Sequence, residues 1–252
     1  MTKTHKIFIL LLSALLIASV IMICREVYLQ QKEKKMHDDL LQLIEIPEPS
    51  TTPEDTETGL PEEPDETEPE AQRRNLSPLI ELNSECIGWI FIEGTNVDYP
   101  VMHTPNNPQK YLRLNFNGEY SVSGVPFLDA RCNPYYGTLL IYGHNMKNGT
   151  QFSDLKNYLD ADFRNTHPII EFETEVGIRF FTVVDVIRTD IYDEIYNEIA
   201  TDDTTLILST CYGSAKSGRL LIIAKEVEPN VQKKTEGADT GAGRGNSHEG
   251  LF

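Results

Sequence analysis

Cysteine is scarce in this chain, with four in 252 residues. Cys24, Cys86, Cys132 and Cys211 lie far apart, and no two form a C-x-x-C pair. That excludes a disulfide-dense scaffold and a zinc-ribbon or thioredoxin-type motif. No histidine, cysteine or carboxylate cluster has metal-ligand spacing, so neither a metal nor a cofactor is expected. Basic residues are also few, 22 Lys and Arg against 39 Asp and Glu, for a net charge of -17. With no basic patch, nucleic acid is not an expected partner. The acidity carries no message about substrate, because most of it is local. Residues 45–70 hold eleven acidic side chains and no basic one.

One long hydrophobic run is present. Residues 7–24, IFILLLSALLIASVIMIC, carry no charge and sit between Lys6 and Arg25. Eighteen helical residues reach about 27 Å, close to the hydrocarbon thickness of a bilayer. A cleavable signal peptide is the competing reading. The run continues past Ala18 and Ser19 without an A-x-A site, which favours an uncleaved anchor over residues 1–25. Lys3 and Lys6 precede the run, but Arg25, Lys32, Lys34 and Lys35 follow it, so flanking charge alone does not orient it. The signal-like start favours an inside N-terminus and an outside C-terminus.

Met36, Leu40 and Ile44 then recur at helical spacing, which predicts a juxtamembrane helix or stalk over residues 26–46. Residues 47–74 read as an extended linker, since Pro, Glu, Thr and Asp give it almost nothing to bury. The polar, Gly-rich residues 228–252 read as a disordered tail. One domain remains, over residues 75–227, long enough for a single core.

Its pattern is mostly strands: GWIFIEG, NVDYPVM, SGVPFLDA, GTLLIYG, IIEFETE, IRFFTVVDVI, TLILST and RLLIIAK. Eight short strands with short connections predict a closed or nearly closed barrel, or a sandwich. Two helices are expected among them. SDLKNYLDADF offers Ser153 as N-cap, with Leu155 and Leu159 on one face and His167-Pro168 as its stop. DIYDEIYNEIA places Ile191, Ile195 and Ile199 four apart.

Cys86 and Cys132 read as buried small hydrophobes in preference to a disulfide pair. Cys211 ends a strand. If TLILST and RLLIIAK are antiparallel neighbours, Arg219 begins the next strand at the same mouth. A guanidinium beside a thiol favours the thiolate, and its fork of donors can hold an oxyanion. A nucleophilic cysteine also needs a proton carrier. Of the three histidines in the domain, His167 suits a helix end and His103 a loop. His144 alone follows a strand that ends at glycine, as Cys211 follows another. A solvated strand-end arginine and an inert cysteine are the plainer alternatives.

The segments themselves resemble those of a known family. LSTCYGSAKSGRLLIIAKEV resembles the cysteine segment of sortases. LLIYGHNMKNGTQFSDLKNY is similar to the histidine segment of class B sortases, and IGWIFIEGTNVDYPVMH and YLRLNFNGEYSVSGVPFLDAR to their N-terminal strands. The resemblance implies a mainly β fold, an eight-stranded sortase-like barrel with a few short helices behind a transmembrane helix. Residues 75–227 become its catalytic domain. It implies a transpeptidase on the outer face of a Gram-positive membrane. Such an enzyme cuts a C-terminal sorting signal of a secreted protein after threonine, holds the acyl group as a thioester, and passes it to a cell-wall precursor amine. A pilin lysine is the alternative acceptor. By the same resemblance Cys211 is the nucleophile, His144 the acid/base and Arg219 the oxyanion stabiliser, with Tyr142, Ser209, Thr210, Asn107 and Leu112 at substrate positions. The order His, Cys, Arg at strand ends disfavours a papain-like hydrolase. A tethered binding module with an inert Cys211 is the non-enzymatic alternative. Two features depart from class B. The interval before the cysteine strand is short, which bears on an NPQT or NPxT signal, and no acid follows Cys211 to orient His144.

Overall fold

The computed structural model describes residues 3–44, 73–197, 199 and 204–228. The linker read from the sequence lies outside them save for Arg73 and Arg74, and the tail save for Glu228. The elements are α1 (Lys3–Leu43), α2 (Ser77–Leu82), β1 (Cys86–Phe91), β2 (Asp98–Met102), β3 (Phe127–Leu128), β4 (Leu139–Tyr142), α3 (Ala161–Thr166), β5 (Ile169–Thr174), β6 (Gly177–Asp190), β7 (Thr205–Cys211) and β8 (Gly218–Val227). Three 3-10 segments complete the set, at Lys110–Leu112, Phe152–Leu159 and Glu194–Tyr196.

The strands close into a barrel in the order β1-β2-β3-β4-β7-β8-β6-β5. β2 with β3 and β4 with β7 pair in parallel, and the remaining neighbours are antiparallel. Closure leaves no free edge among these eight strands. The core is filled by Ile90, Val101, Leu139, Ile141, Phe172, Phe181, Leu206, Leu208, Leu220 and Ile222 among others. Thr205–Thr210 are all buried, so both faces of β7 are covered. Such a strand reads as a continuous apolar run instead of an alternating one.

Both expected helices differ from the sequence reading. Between Phe152 and Leu159 the chain is 3-10, because the fully buried side chains are Phe152, Leu155 and Tyr158, spaced by three. Ser153 is buried there and caps nothing. The α-helical turn begins only at Ala161, where Asp160 accepts from the amides of Asp162 and Phe163. His167 does end it, donating its amide to the Phe163 carbonyl. In the second case β6 runs to Asp190, paired with Gly218, and the described residues beyond hold only the 3-10 turn Glu194–Tyr196. Asp190 and Asp193 accept from the amides of Tyr192 and Ile195, local bonds that compete with a helix. The Ile191 side chain is exposed there instead of lining a buried face. SGVPFLDA pairs over Phe127 and Leu128 alone.

The apolar run and the juxtamembrane segment form one helix, and its last turns pack onto the domain. Leu40 and Ile44 are buried in a second cluster outside the barrel with Leu79, Trp89, Tyr111 and Phe116. The His37 ring lies tilted against the Tyr99 ring, with centroids 4.7 Å apart. Glu33 accepts from the hydroxyls of Ser121 and Ser123, and Lys32 pairs with Glu119 at 2.9 Å.

Candidate active site

Three strand ends meet at one mouth of the barrel. β4 and β7 run in parallel with Tyr142 opposite Ser209. Two hydrogen bonds carry this register past the strand ends: the Gly143 amide to the Ser209 carbonyl at 3.1 Å, and the Thr210 hydroxyl to the Gly143 carbonyl at 2.8 Å. The next residues, His144 and Cys211, therefore emerge side by side. β8 returns antiparallel to β7 and sets Arg219 opposite Cys211. Gly213, at φ +80°, turns the chain between them in a conformation that side chains resist.

These residues line a cleft of about 520 Å³. Cys211, His144 and Arg219 share it with Tyr142, Ser209, Thr210 and Leu112. Asn107 does not line it. That residue is exposed on the preceding loop, and its neighbours Pro108 and Gln109 reach the cleft in its place.

Cys211 is exposed, while Ser209 and Thr210 beside it are buried. His144 Nε2 lies 3.0 Å from the Leu112 carbonyl oxygen. A carbonyl only accepts, so this nitrogen carries the proton and Nδ1 is the basic atom of the neutral ring. Burial pushes the His144 pKa down, the Leu112 carbonyl opposes this, and the Arg113 and Arg219 charges add to the lowering. Arg219 Nη1 donates to the carbonyls of Gly218 at 2.9 Å and Lys216 at 3.1 Å, which fixes the guanidinium at the rim.

Other residues at or beside the cleft carried no motif in the sequence. Asn145 Nδ2 donates to the Cys211 carbonyl at 3.0 Å, tying the histidine loop to the cysteine strand. Asp129 accepts from the Tyr142 hydroxyl at 2.8 Å and from Arg131. Burial works against its carboxylate, but the bonds from Arg131 and Tyr142 outweigh burial and hold its pKa below the ordinary value. Burial first, and then Asp129, keep the Tyr142 phenol protonated far above its usual range. Tyr196, from the short 3-10 turn, stacks on Tyr142 and shares a 2.8 Å hydrogen bond with Ser209. Asp129 had a usable signal, since like Cys211 it ends an apolar strand run. The group bonded to His144 is a backbone carbonyl, which no side-chain motif could announce.

Comparison with known proteins matches the sortase domain family over residues 90–227. The chain belongs to the sortase family. Sortases are cysteine transpeptidases, and the relatives are of class B. Sortase B of Listeria monocytogenes is 37% identical over 138 residues, which cover 53% of this chain and 54% of that protein. Sortase B of Staphylococcus aureus is 29% identical over 187 residues, covering 62% and 76%. The match thus spans about half the length of the first relative. Among solved structures, Clostridium perfringens sortase B superposes with a TM-score of 0.56 at 27% identity, over 61% of this chain and all of that one. A Staphylococcus aureus sortase B–substrate complex gives 0.55 at 26%, over 61% and 85%. The eight-stranded closed barrel is the sortase architecture expected from the cysteine and histidine segments.

Two measurements probe the sortase site directly. A Cβ on Gly143 would fall 2.4 Å from the ring of buried Phe152. Gly143→Ala should therefore lower stability by about 1–3 kcal/mol through overpacking, read as a fall in thermal midpoint, and slow turnover by displacing His144. An unchanged midpoint would contradict the packing. The second concerns pH. Because the folded pKa of His144 lies below its ordinary 6.5, the unfolded chain binds its proton first. This residue's contribution to stability is full above pH 6.5 and is lost as pH falls from there through the folded pKa. An NMR titration of the His144 ring should give a midpoint under 6.5, and a midpoint at or above 6.5 would contradict the burial.

Proposed function

We propose that this chain is a class B sortase in activity as well as in family: a membrane-anchored transpeptidase with Cys211 as nucleophile, His144 as acid/base and Arg219 as oxyanion stabiliser. The observation that supports this most is the register. Cys211 faces Arg219 across one strand pair while His144 leaves the parallel strand on the other side of Cys211.

The chemistry follows from the groups present. The Cys211 thiolate attacks the carbonyl carbon of the signal threonine, and the oxygen takes up the displaced electron pair as an oxyanion. The guanidinium of Arg219 stabilises it. Collapse breaks the C–N bond, and the leaving amine takes a proton from the His144 imidazolium. A thioester on Cys211 remains. The incoming amine attacks the thioester carbonyl and loses a proton to the neutral imidazole, and rupture of the C–S bond restores the thiolate. Tyr142, Ser209, Thr210 and Leu112 form the wall against which the signal peptide lies, with Tyr196 over Tyr142. We assign the donor as a secreted protein with an NPQT- or NPxT-like C-terminal signal. The acceptor is a peptidoglycan-precursor amine, or a pilin lysine. α1 is the single membrane anchor, with the domain outside. It is apolar and long enough to cross a bilayer, with a mean hydropathy of 3.0 over its most apolar 18 residues.

Incubation with NPQT- and LPxT-type peptides plus an amine, followed by mass spectrometry, tests the reading. An acyl adduct on Cys211 and an amine-dependent product are expected. Free acid alone, unaffected by amine, would make the chain a hydrolase. No adduct with any peptide would leave a binding module.

A further inference from the structure

α1 does more than reach the membrane, because it is one helix from Lys3 to Leu43 and the domain packs directly on its later turns. The height of each domain element above the apolar run can therefore be read from the residue it touches. At 1.5 Å per residue, Tyr28 lies about 6 Å beyond Cys24, Lys32 about 12 Å, and His37 about 20 Å.

The lowest part of the domain is a groove between α1 and two loops. Glu26, Leu29, Gln30 and Glu33 form one wall, and residues 120–123 and 145–148 the other. This places the loop tips between about 3 and 14 Å from the end of the run. The headgroup layer of one leaflet occupies roughly the first 5–8 Å. The first loop is pinned by its polar groups: Glu119 to Lys32, and Ser121 and Ser123 to Glu33. That leaves its apolar side chains outward, with Tyr120 71% and Val122 44% exposed. On α1, one to two turns nearer the apolar run than these pins and on the side toward which the loop's apolar side chains are left free, Val27 is 47% and Tyr28 65% exposed. The second loop, which follows His144, adds half-buried Met146 and exposed Lys147. Tyrosines with apolar neighbours and a long cationic side chain are what the membrane–water boundary selects.

We propose that Tyr120 and Val122, with Val27 and Tyr28, form a second membrane contact, seated in the headgroup layer of the bilayer that α1 crosses. The bilayer is the occupant because the patch continues directly from the end of the apolar run. The proposal rests on the anchor reading of α1. It makes the juxtamembrane turns a bracket instead of a free stalk. The loop after His144, which lines the same groove, is then held near the membrane surface.

The test uses the full chain in vesicles of mixed zwitterionic and anionic lipid, some brominated on the upper acyl carbons. The one native tryptophan, Trp89, is buried and stacks on His37, so it serves as an unquenched baseline. Tyr120→Trp and, separately, Val122→Trp add a probe at exposed positions. The added emission should be quenched about two-fold or more, and should shift to the blue, as interfacial side chains do. Two failures are distinct. If the chain does not float with the vesicles, the anchor reading falls and this surface with it. If the chain floats but both added tryptophans emit as they do in vesicles without bromine, the contact alone is overturned.

Discussion

Cys211→Ala is expected to abolish acyl-adduct formation and to lower amine-dependent product by roughly 10⁴-fold or more, since removing the nucleophile of a concerted site costs about as much as removing the whole site. No other thiol can substitute. Cys86 and Cys132 are buried, and burial pushes both pKa values up to about 11. Cys24 lies in the apolar run of α1. Cys211 itself is exposed at a strand end, so its loss leaves the barrel core intact. The variant should therefore unfold at the parent's temperature while forming neither thioester nor product by mass spectrometry. Retained amine-dependent turnover would remove Cys211 from the mechanism.

Arg219→Ala should lower kcat by about 10²–10³-fold, the range seen when one oxyanion donor is removed. Opposite residues on paired strands stand about 5 Å apart, so the guanidinium reaches the Cys211 side chain without moving the backbone. Arg219→Lys separates charge from geometry. An ammonium keeps the charge that favours thiolate but offers no planar fork. If the fork holds the oxyanion, the lysine variant recovers thiol reactivity toward an alkylating reagent without recovering kcat. If charge is all that matters, lysine restores both. Equal activity of all three forms would show that Arg219 is only a rim charge, held by its bonds to Lys216 and Gly218.

Much of this site was legible because strand ends are marked in a sequence. The unbroken apolar run of β7 and the similar end of β4 at Gly143 both announce where the chain leaves the sheet, and Cys211 and His144 stand just there. The turn residues around Gly213 then put Arg219 opposite Cys211. What could not be read was any feature set by a distant backbone atom. The Leu112 carbonyl on His144 and the Asn145 bond to Cys211 depend on how loops cross the mouth. The secondary-structure differences have a similar origin. Leu155 and Leu159 imply a period of four, but Phe152 and Tyr158 fill the core and impose three. Ile191, Ile195 and Ile199 imply an amphipathic helix, yet the pairing of Asp190 with Gly218 extends β6 and the aspartate side chains bond to the local amides.

The parallel pairing of β4 with β7 has a consequence for when the enzyme becomes reactive. Parallel neighbours need a long crossover, and here it contains α3, β5 and β6. The imidazole and the sulfur are therefore brought together across this whole crossover, and β8 must follow before the guanidinium arrives. Contacts so remote along the chain form late in folding. On the mechanism proposed above, a folding chain would thus carry its thiol unassisted until the last strands close, so that competence for acyl transfer and completion of the barrel are one event.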